Sequence, residues 1–244
     1  MTGTMPLGNS ILVTGASSGL GKYIASHIDC VALTRENAES IFRTHKHFDL
    51  IIHCAFNSAK ETNDYYKILQ DNIFLTEQLC SFSHDKFLFL SSIDVYRDEE
   101  SLYKTTKLMA ESIVKKLGKR SLILRTSAII GPTMRNNSLL KILEQENPTL
   151  SLSEESTFNY VLQSDILSMI QMCAKNNYSG IIDFVASKNI RLKDIADHFS
   201  KDVNFGGYTY QTPVISNRSL QDRFPTAWYT SLGNIERFMK ERSR

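Results

Sequence analysis

The 244-residue sequence has few cysteines, no excess of either charge and no long apolar run. Its four cysteines, at positions 30, 54, 80 and 173, include no Cys-x-x-Cys pair. This argues against a zinc site or a disulfide framework and favours isolated buried thiols in a reducing compartment. The 28 Lys and Arg residues nearly balance the 26 Asp and Glu residues, so neither nucleic acid nor a membrane surface is an expected partner.

The sequence also lacks segments that would anchor or export a protein. No apolar run approaches the roughly 18 residues that a membrane helix needs. Residues 1–9 are interrupted by glycine and proline and do not resemble a targeting signal. We therefore expect a cytoplasmic protein with no membrane partner.

The first half of the chain alternates short apolar runs with longer stretches of helical periodicity. The runs are apolar at consecutive positions, which is typical of parallel strands covered on both faces. The predicted strands are residues 10–14, 30–34, 49–54, 86–91 and 121–126. The predicted helices are residues 19–28, 36–44, 64–82 and 101–117. This order predicts an α/β fold with a doubly wound parallel sheet and right-handed crossovers.

The regular alternation of predicted strands and helices ends after Gly131 and Pro132. The second half carries predicted helices at 139–145, 165–175, 192–200 and 232–242 and a predicted strand at 181–185. We therefore expect a core over residues 1–132 and a small C-terminal substrate lobe over residues 133–244. Within that lobe, residues 158–187 are expected to return partly to the core sheet.

A glycine-rich turn joins the first predicted strand to the first predicted helix. Glycines at such a turn let the backbone approach a pyrophosphate, whose charge sits at the helix N-terminus. A turn at this junction predicts a Rossmann-type dinucleotide site, the alternative being a purely structural turn. The predicted cofactor-binding residues of the turn are Gly15, Ser17, Ser18, Gly19, Leu20 and Gly21.

Arg35 stands twenty residues beyond Gly15, at the end of the second predicted strand. An acidic residue at this place binds the ribose 2′-hydroxyl of NAD(H), whereas an arginine pairs with the 2′-phosphate of NADP(H). The sequence therefore favours NADP(H) over NAD(H), the alternative being that Arg35 only decorates the start of a helix.

A Tyr-x-x-x-Lys pair, Tyr103 and Lys107, opens a predicted helix eleven residues after Ser92, which ends a predicted strand. The spacing puts both side chains on one helix face. In a chain with ten tyrosines this spacing arises readily by chance. The stronger evidence for a functional pair is its position at the start of a helix, shortly after the end of a strand. A free tyrosine has a pKa near 10, so proton transfer near pH 7 requires a neighbouring cation such as Lys107. Ser92, Tyr103 and Lys107 are therefore the predicted catalytic residues.

These motifs resemble those of the short-chain dehydrogenase/reductase superfamily, and within it the extended branch of nucleotide-sugar enzymes. Residues 49–55 are similar to the branch's strand beside the cofactor, which adds Ala55 to the expected cofactor-binding residues. Other similar segments are the Asn-containing helix at 72–76, the strand and loop at 124–132 and the later segments at 158–165 and 180–199.

The resemblance implies an enzyme of nucleotide-sugar metabolism, such as polysaccharide biosynthesis, that forms a homodimer through helices 64–82 and 101–117. It also implies that Tyr103 and Lys107 contact the cofactor. Arginines 135, 218 and 223 are candidates for the substrate diphosphate, and Tyr160 and Tyr208 for the sugar pocket. Asn72 is expected either to contact backbone near the nicotinamide or only to pack. No metal site is expected, because His45 and His47 fit a solvated helix end.

The sequence departs from the pattern of this branch at three places, which narrows the expected sheet and the expected reaction. Ser18 replaces a usual glycine, and residues 36–48 are too few for the usual helix, strand and helix. One strand is therefore expected to be lost or rudimentary, as in the similar dTDP-4-dehydrorhamnose reductases, which leaves adenine recognition open. Asp94 stands alone where sugar dehydratases carry paired acids, which disfavours dehydration.

The sequence thus predicts an NADP(H)-dependent reductase of a keto sugar linked to a nucleotide. The same residues suit an epimerase with tightly bound NAD(P), and the sequence does not separate the two. Reduction of a small carbonyl compound and non-catalytic regulation by NADP(H) are further alternatives. A regulator is disfavoured because both Tyr103 and Lys107 are present.

Overall fold

The chain divides into two units in the computed structural model, which describes residues 11–58, 64–176, 178–221, 224 and 229–243. The first unit takes the described residues up to 91 together with 100–124 and 171–181. The second takes 92–99, 125–170 and the described residues from 182 onward. The domain boundary expected at residue 132, and the return of residues 158–187 to the core sheet, stay predictions.

The strands and helices follow one another in the expected alternation. The strands are β1 (Ile11–Thr14), β2 (Val31–Leu33), β3 (Phe48–His53), β4 (His84–Ser92), β5 (Ser121–Thr126), β6 (Ala128–Ile130), β7 (Thr157–Phe158), β8 (Tyr160–Leu162), β9 (Gly180–Phe184) and β10 (Ile190–Arg191). The α-helices are α1 (Gly19–Ala25), α2 (Ala38–Thr44), α3 (Tyr65–Leu69), α4 (Leu75–Ser81), α5 (Leu102–Leu117), α6 (Ser138–Glu144), α7 (Gln163–Lys175), α8 (Leu192–His198), α9 (Arg218–Gln221) and α10 (Ser231–Arg242). A π-helical turn, Gln70–Phe74, joins α3 to α4, and a 3-10 helix, Ile93–Tyr96, follows β4.

Six strands form one sheet in the order β2-β1-β3-β4-β5-β9. The pairs of β1 with β2, β1 with β3 and β3 with β4 are parallel. Successive apolar residues of these strands are buried, for example Leu12 and Val13 in β1 and Ile51 and Ile52 in β3. This is the pattern of parallel strands covered on both faces. The α/β fold with a doubly wound parallel sheet, Rossmann-like in type, is therefore confirmed.

The sheet reverses its direction of growth at β1. Thr14 lies opposite Leu33 of β2 on one side and opposite His53 of β3 on the other. Ligands of open α/β sheets bind outside the carboxyl ends of the strands at such a switch point. The residues that follow β1, β2 and β3 therefore meet at the edge of the sheet where a ligand is expected.

The connection from β2 to β3 holds one helix, α2, and no strand; each of its residues is described. A stretch of this length cannot form two crossovers and a further strand. The sheet consequently begins at β2, as the short connection predicted.

Most predicted helices lie within two residues of their observed bounds, and two differ in a way that has a local cause. The helix predicted at 19–28 ends at Ala25, because Ser26 Oγ donates to the carbonyl of Tyr23 over 2.9 Å and Nδ1 of His27 lies 2.7 Å from it. The helix predicted at 64–82 is interrupted by the π turn. Hydrophobic periodicity predicts the helix but does not resolve an interruption confined to a single turn.

The helix α5 is closed at both ends by capping groups. The Ser101 side chain accepts a hydrogen bond from the Lys104 backbone N–H, and the N–H of Gly118 bonds back to the Val114 carbonyl. Polar side chains lie on its buried face beside apolar ones: Thr106, Lys107, Ala110, Glu111 and Val114. A buried lysine and a buried glutamate on one helix face are unusual in a simple packing surface.

The second unit contains two small sheets that the sequence did not predict. β6 pairs with β8 in parallel, and β7 pairs with β10 in antiparallel fashion. Strands of two or three residues are too short to show a period. Among the helices of the described chain, none has the length and apolar character required to cross a membrane.

Candidate active site

The glycine-rich turn after β1 is packed against the loop that follows β3. Gly15 has φ +70°, and a Cβ atom there would lie 3.0 Å from the Ala55 nitrogen. A Cβ on Gly21 would lie 2.4 Å from the Gly15 carbonyl oxygen, so α1 can pack this closely only without a side chain. Gly19 has φ +57°, and a Cβ there would meet no atom within 4 Å. The turn therefore forms a cradle with open space above Gly19.

The other residues of the turn complete this cradle. Ser17 and Ser18 are exposed, and Leu20 is buried beneath the turn. Backbone and hydroxyl groups without side-chain bulk are what a pyrophosphate requires. The residues present thus fit a dinucleotide, and Gly15, Ser17, Ser18, Gly19, Leu20, Gly21 and Ala55 are the residues that would hold it.

Thr14 ties the end of β1 to the start of the loop after β3. Its Oγ1 accepts hydrogen bonds from the backbone N–H groups of Cys54 and Ala55, at 3.0 and 2.9 Å. The same oxygen lies 2.8 Å from Nδ1 of His53. Because Oγ1 already accepts two bonds, its own proton is directed to Nδ1, which must then be unprotonated.

His53 extends this chain of hydrogen bonds to α4. Its Nε2 lies 2.9 Å from Thr76 Oγ1, which donates in turn to the Asn72 carbonyl over 2.6 Å. The proton of a neutral His53 therefore sits on Nε2. Burial lowers the pKa of His53 to about 3, and the charge of Lys107 acts in the same direction. The imidazole stays neutral and links β1, β3 and α4.

Asn72 lies in the π turn and holds the loop after β3 by its backbone. Its Oδ1 accepts from the Asn57 N–H at 2.7 Å, and its Nδ2 donates to the Asn57 carbonyl at 3.0 Å. The side chain is fully buried. Asn72 thus contacts backbone, one of the two roles expected for it, and a π turn at such a place is common at functional sites.

Tyr103 and Lys107 lie one turn apart on α5 and share aromatic neighbours. The Lys107 side chain is almost completely buried, and its Nζ donates to the Leu90 carbonyl over 2.7 Å. Nζ lies 3.6 Å from the ring centroid of Phe56, 4.8 Å from that of Phe89 and 5.8 Å from that of Tyr103. The Phe56 ring meets the Tyr103 ring edge-on at 5.6 Å. The predicted pair is thus brought together, with a cation held among π faces.

Burial controls the charge of this lysine. It lowers the pKa of Lys107 to about 7, while nearby Cys54 and Glu111 oppose the shift. Glu111 is itself fully buried one turn further along α5 and accepts from Ser91 Oγ at 2.6 Å. The sequence analysis missed Glu111, although its spacing of four residues from Lys107 places it on the same helix face.

Ser92, the third predicted catalytic residue, belongs to the second unit, whereas Tyr103 and Lys107 belong to the first. It is the last residue of β4 and caps the following 3-10 helix, where its Oγ accepts from the Asp94 N–H at 3.1 Å. The hydroxyl is partly buried at the carboxyl end of a strand.

Asp94 and its neighbours form a polar and aromatic group within the second unit. Tyr210 donates its hydroxyl to Asp94 Oδ1 over 2.7 Å, and its ring stacks on Phe158 at 4.9 Å. The guanidinium of Arg97 lies 4.5 Å from the Tyr210 ring centroid. Burial raises the pKa of Tyr210, and the Asp94 carboxylate acts in the same direction. Tyr210 therefore stays protonated and donates its hydrogen bond to the Asp94 carboxylate.

Arg125 forms a second polar group of that unit. It is largely buried at the end of β5 and donates to the Tyr96 hydroxyl over 2.5 Å. That hydroxyl donates in turn to the Asp183 carboxylate, with oxygen distances of 3.0 and 3.1 Å. A buried arginine in such a group is consistent with a positioning role in the segment 124–132.

Arg35, the residue predicted to read the cofactor's 2′-substituent, lies on an exposed loop after β2. Its Nη2 donates to Asp71 Oδ2 over 3.1 Å. Asp71 precedes Asn72 in the π turn, so the arginine is paired with a carboxylate that the sequence analysis did not select. No signal in the sequence links these residues, which stand 36 positions apart.

The remaining candidates take varied positions. Arg135 and Arg218 are exposed, and Arg223 lies outside the described residues. Tyr160 is buried, whereas Tyr208 is more than half exposed. His47 lies 3.5 Å from an oxygen of Asp49 and 3.7 Å from one of Asp85, a group that is largely solvated.

The comparison with protein families decides the classification. The model of the NAD-dependent epimerase/dehydratase family matches residues 26–180, more than half of the chain. The chain belongs to the NAD-dependent epimerase/dehydratase family. This confirms the resemblance to the extended short-chain dehydrogenases/reductases and makes the chain an NAD(P)-dependent enzyme of that type. A search of curated proteins gives no match.

Solved structures share the fold of this family member over almost its whole length. A dTDP-4-dehydrorhamnose reductase from Bacillus anthracis in complex with NADP has a TM-score of 0.78 at 16% identity and covers 96% of this chain and 99% of its own. A UDP-glucuronic acid 4-epimerase from Bacillus cereus, in complex with UDP-glucuronic acid and NAD, has a TM-score of 0.72 at 18% identity, with 92% and 96% covered. The dTDP-4-dehydrorhamnose reductase from Yersinia enterocolitica reaches 0.73 at 20% identity, with 93% and 97% covered.

Proposed function

We propose that the protein is a cytoplasmic, NADP(H)-dependent oxidoreductase that reduces a keto group of a nucleotide-linked sugar. The observation that carries this proposal is the pair of Tyr103 and buried Lys107 on α5, in the same unit as the cradle around Gly15 and Gly19. Family members similar in fold bind NADP, or a UDP-sugar with NAD. The free cysteines among the described residues agree with a reducing compartment.

The cradle after β1 would hold the dinucleotide, with Arg35 beside the adenosine ribose. A nicotinamide cofactor, when bound, supplies the hydride. Lys107 has three N–H donors, of which the Leu90 carbonyl accepts one, so a second is available to a ribose hydroxyl. Lys107 thus orients the cofactor and also favours the tyrosinate form of its neighbour.

Tyr103 would act as the general acid. In the reductive direction its Oη donates a proton to the oxygen of the keto carbon, and Tyr103 becomes a tyrosinate that the Lys107 charge stabilises. Ser92 would donate a hydrogen bond to the same oxygen and so orient the substrate. Asp94 accepts the Tyr210 hydroxyl, and it stands alone at the place after Ser92 where sugar dehydratases carry paired acids, which disfavours water elimination.

Epimerisation is the second candidate, because oxidation and reduction at one carbon use the same Tyr103 and Lys107. The carboxylate of Asp71 beside Arg35 favours it, since a carboxylate is the partner of the 2′-hydroxyl of NAD. The two activities differ in how the cofactor is used. An epimerase retains NAD(P) through turnover, whereas a reductase exchanges it in each cycle.

The experiment begins with the purified protein and the identification of any retained cofactor after acid release. A panel of nucleotide sugars, each with NADP⁺ or NAD⁺, is then screened by thermal shift, because a ligand of the native state raises the Tm. The hits are assayed for NADPH consumption and for epimer formation. NADPH consumption with a keto sugar supports the reductase, whereas epimer formation without net consumption supports the epimerase. Stabilisation by neither cofactor contradicts the proposed function.

We further propose a homodimer formed through α3, α4 and α5. These helices and the π turn between α3 and α4 belong to one unit and expose large apolar side chains to solvent: Tyr65, Tyr66, Phe74, Leu108 and Met109. Exposed apolar side chains of this size are typical of a protein–protein contact. A second copy of the chain presents the same face, which suits a two-fold interface.

A further inference from the structure

A carboxylate that no motif singled out lies at the place where the cofactor's 2′-substituent is expected. Asp71 Oδ2 is 3.1 Å from Arg35 Nη2 and 2.9 Å from Asn57 Nδ2. Lys67 Nζ is 3.6 Å from the same oxygen. Two hydrogen bonds and one ion pair therefore converge on one carboxylate oxygen, while the Arg35 side chain is three-quarters exposed and Asp71 only one-fifth.

The carboxylate is held in place by the structure around it. Asp71 and Asn72 are consecutive residues of the π turn, and the Asn72 side chain is buried and bonded to both backbone groups of Asn57. Asn57 in turn donates its side-chain amide to Asp71. The position of Asp71 is therefore set by the buried Asn72 beside it, whereas the Arg35 side chain lies mostly in solvent.

The pair of Arg35 and Asp71 joins two loops at the carboxyl edge of the sheet. Arg35 follows β2, and Asp71 is bonded to the loop that follows β3. Those two strands flank β1, whose end carries the glycine-rich turn. In a dinucleotide fold of this order, the ribose of the adenosine lies at the end of the second strand.

The two side chains would treat the two cofactors in opposite ways. A 2′-phosphate needs the guanidinium of Arg35, and Asp71 both occupies that guanidinium and repels the phosphate charge. A 2′-hydroxyl is uncharged and can donate a hydrogen bond to the Asp71 carboxylate without separating the pair. A carboxylate fixed at this point thus works against NADP(H) and for NAD(H).

We propose that Asp71 is a specificity-determining residue that opposes Arg35 in the choice between NAD(H) and NADP(H). The inference rests on the proposed function, because it places the cofactor in the cradle after β1. It goes beyond the usual distinction between an acid and an arginine after the second strand, since here both groups are present and the acid comes from another element. The selectivity between NAD(H) and NADP(H) then depends on the opposing effects of Arg35 and Asp71.

The test measures dissociation constants of NADP⁺ and NAD⁺ by isothermal titration calorimetry without substrate. It compares the unmodified protein with Asp71→Asn, Arg35→Gln and Glu77→Gln. Glu77 lies exposed on α4, so its replacement removes the same charge from a neighbouring place and serves as the matched control. The readout is the ratio of the two constants, which partial unfolding does not change because both cofactors are measured on one sample.

We expect Asp71→Asn to shift the ratio toward NADP⁺ by about three- to tenfold, as for loss of one exposed charge contact. Arg35→Gln should shift it toward NAD⁺ by about tenfold or more, because a charge-assisted bond to phosphate is lost. The Glu77→Gln ratio should stay within about twofold of the original.

Opposite shifts in Asp71→Asn and Arg35→Gln support the proposal. If Asp71→Asn leaves the ratio unchanged or moves it toward NAD⁺, the role of Asp71 is overturned, while a shift in Arg35→Gln still supports the cofactor site. A shift in Glu77→Gln equal to that in Asp71→Asn also overturns the proposal, because net charge alone then accounts for it. If the unmodified protein binds neither cofactor, the proposed function itself fails.

Discussion

At the scale of single residues, the chemistry depends on polar groups that the fold buries. Tyr103 is the residue to which the proposed reaction assigns the proton. Its replacement by Phe in Tyr103→Phe keeps the edge-on ring contact with Phe56 but removes the hydroxyl. We expect turnover to fall by about 100-fold or more, while the dissociation constant of the cofactor stays within about threefold.

The measurement is steady-state NADPH consumption with the substrate that the screen identifies, together with calorimetric titration of cofactor. Tyr66→Phe, an exposed tyrosine on α3, is the control and should keep full activity. Full activity of Tyr103→Phe would rule out Tyr103 as the proton donor. Loss of cofactor binding in that variant would instead assign the residue to binding alone.

Lys107 is held in an environment that disfavours its charge. Because its pKa in the folded state is about 7, well below that of a free lysine, the unfolded chain binds more protons between these two values. Stability therefore rises as the pH increases from about 7 to about 10.5. Lys107→Met removes the buried charge, so we expect the variant to be more stable than the unmodified protein by about 2–4 kcal/mol at pH 7, although inactive.

Urea denaturation of the cofactor-free proteins at pH 7 and at pH 9.5 checks this expectation. The difference should shrink at the higher pH, because the unmodified protein regains stability there. Lys116→Met, at an exposed lysine of the same helix, should leave the stability nearly unchanged at both pH values. A Lys107→Met variant that is less stable at pH 7 would show that the contacts to Phe56 and Leu90 outweigh the cost of burial.

Sequence reasoning selected Tyr103 and Lys107 as a candidate pair, and predicted their proximity, because their spacing and placement are properties of a linear chain. It did not find Glu111, Asp71 or the role of His53, because each depends on a partner that only the fold supplies. Ser91 and Glu111 are twenty residues apart, and Arg35 and Asp71 thirty-six. A glutamate four residues after Lys107, on the same predicted helix face, is the kind of local signal that could have been used.

At the scale of secondary-structure elements, one buried histidine joins β1, β3 and α4 through Thr14 and Thr76. His53→Leu leaves both hydroxyls without this partner, and we expect a loss of about 3 kcal/mol or more. His53→Gln keeps one acceptor and one donor and should lose less. Urea denaturation at pH 7 gives the order; equal losses in the two variants would show that only packing volume matters.

The same histidine predicts how stability depends on acid. Its folded pKa of about 3 is far below that of a free histidine, so the unfolded chain binds more protons between about 3 and 6.5. Stability contributed by neutral His53 is present above pH 6.5 and is lost as the pH falls, by about 2 kcal/mol at pH 5. His53→Gln should lack this part of the acid dependence, as measured by denaturation from pH 7 to pH 5. An identical slope in both proteins would assign the acid sensitivity to other groups.

The longer strands and helices were predicted more accurately than the short ones. The strand at 121–126 was predicted at its observed bounds, and α5 differs by one residue at its start. The π turn and the strands β6, β7, β8 and β10 were missed. A π turn is set by side-chain bonds such as those of Asn72, and strands of two or three residues depend on partners far along the chain.

At the scale of the whole molecule, the alternation of strands and helices was enough to predict the sheet, and the short stretch 36–48 was enough to predict the missing strand. Which side chains of the second unit lie together was not predictable in the same way. Arg97 and Tyr210 stand 113 positions apart and lie within one group. Long-range contacts of this kind leave no periodicity in the sequence.

Association is the property of the whole molecule that the exposed apolar side chains of α3, the π turn and α5 predict. A protein of 27.8 kDa that forms a dimer through these helices should sediment with twice that mass at micromolar concentrations. The double variant Phe74→Arg with Met109→Arg introduces two charges among these exposed side chains. It should be a monomer, because a stable interface does not bury unpaired charge. Val214→Arg, at an apolar residue that is 93% exposed in the second unit, should leave the dimer intact. Sedimentation velocity over a hundredfold concentration range separates these cases. A monomer in the unmodified protein, or a dimer in the double variant, would place the interface elsewhere or exclude it.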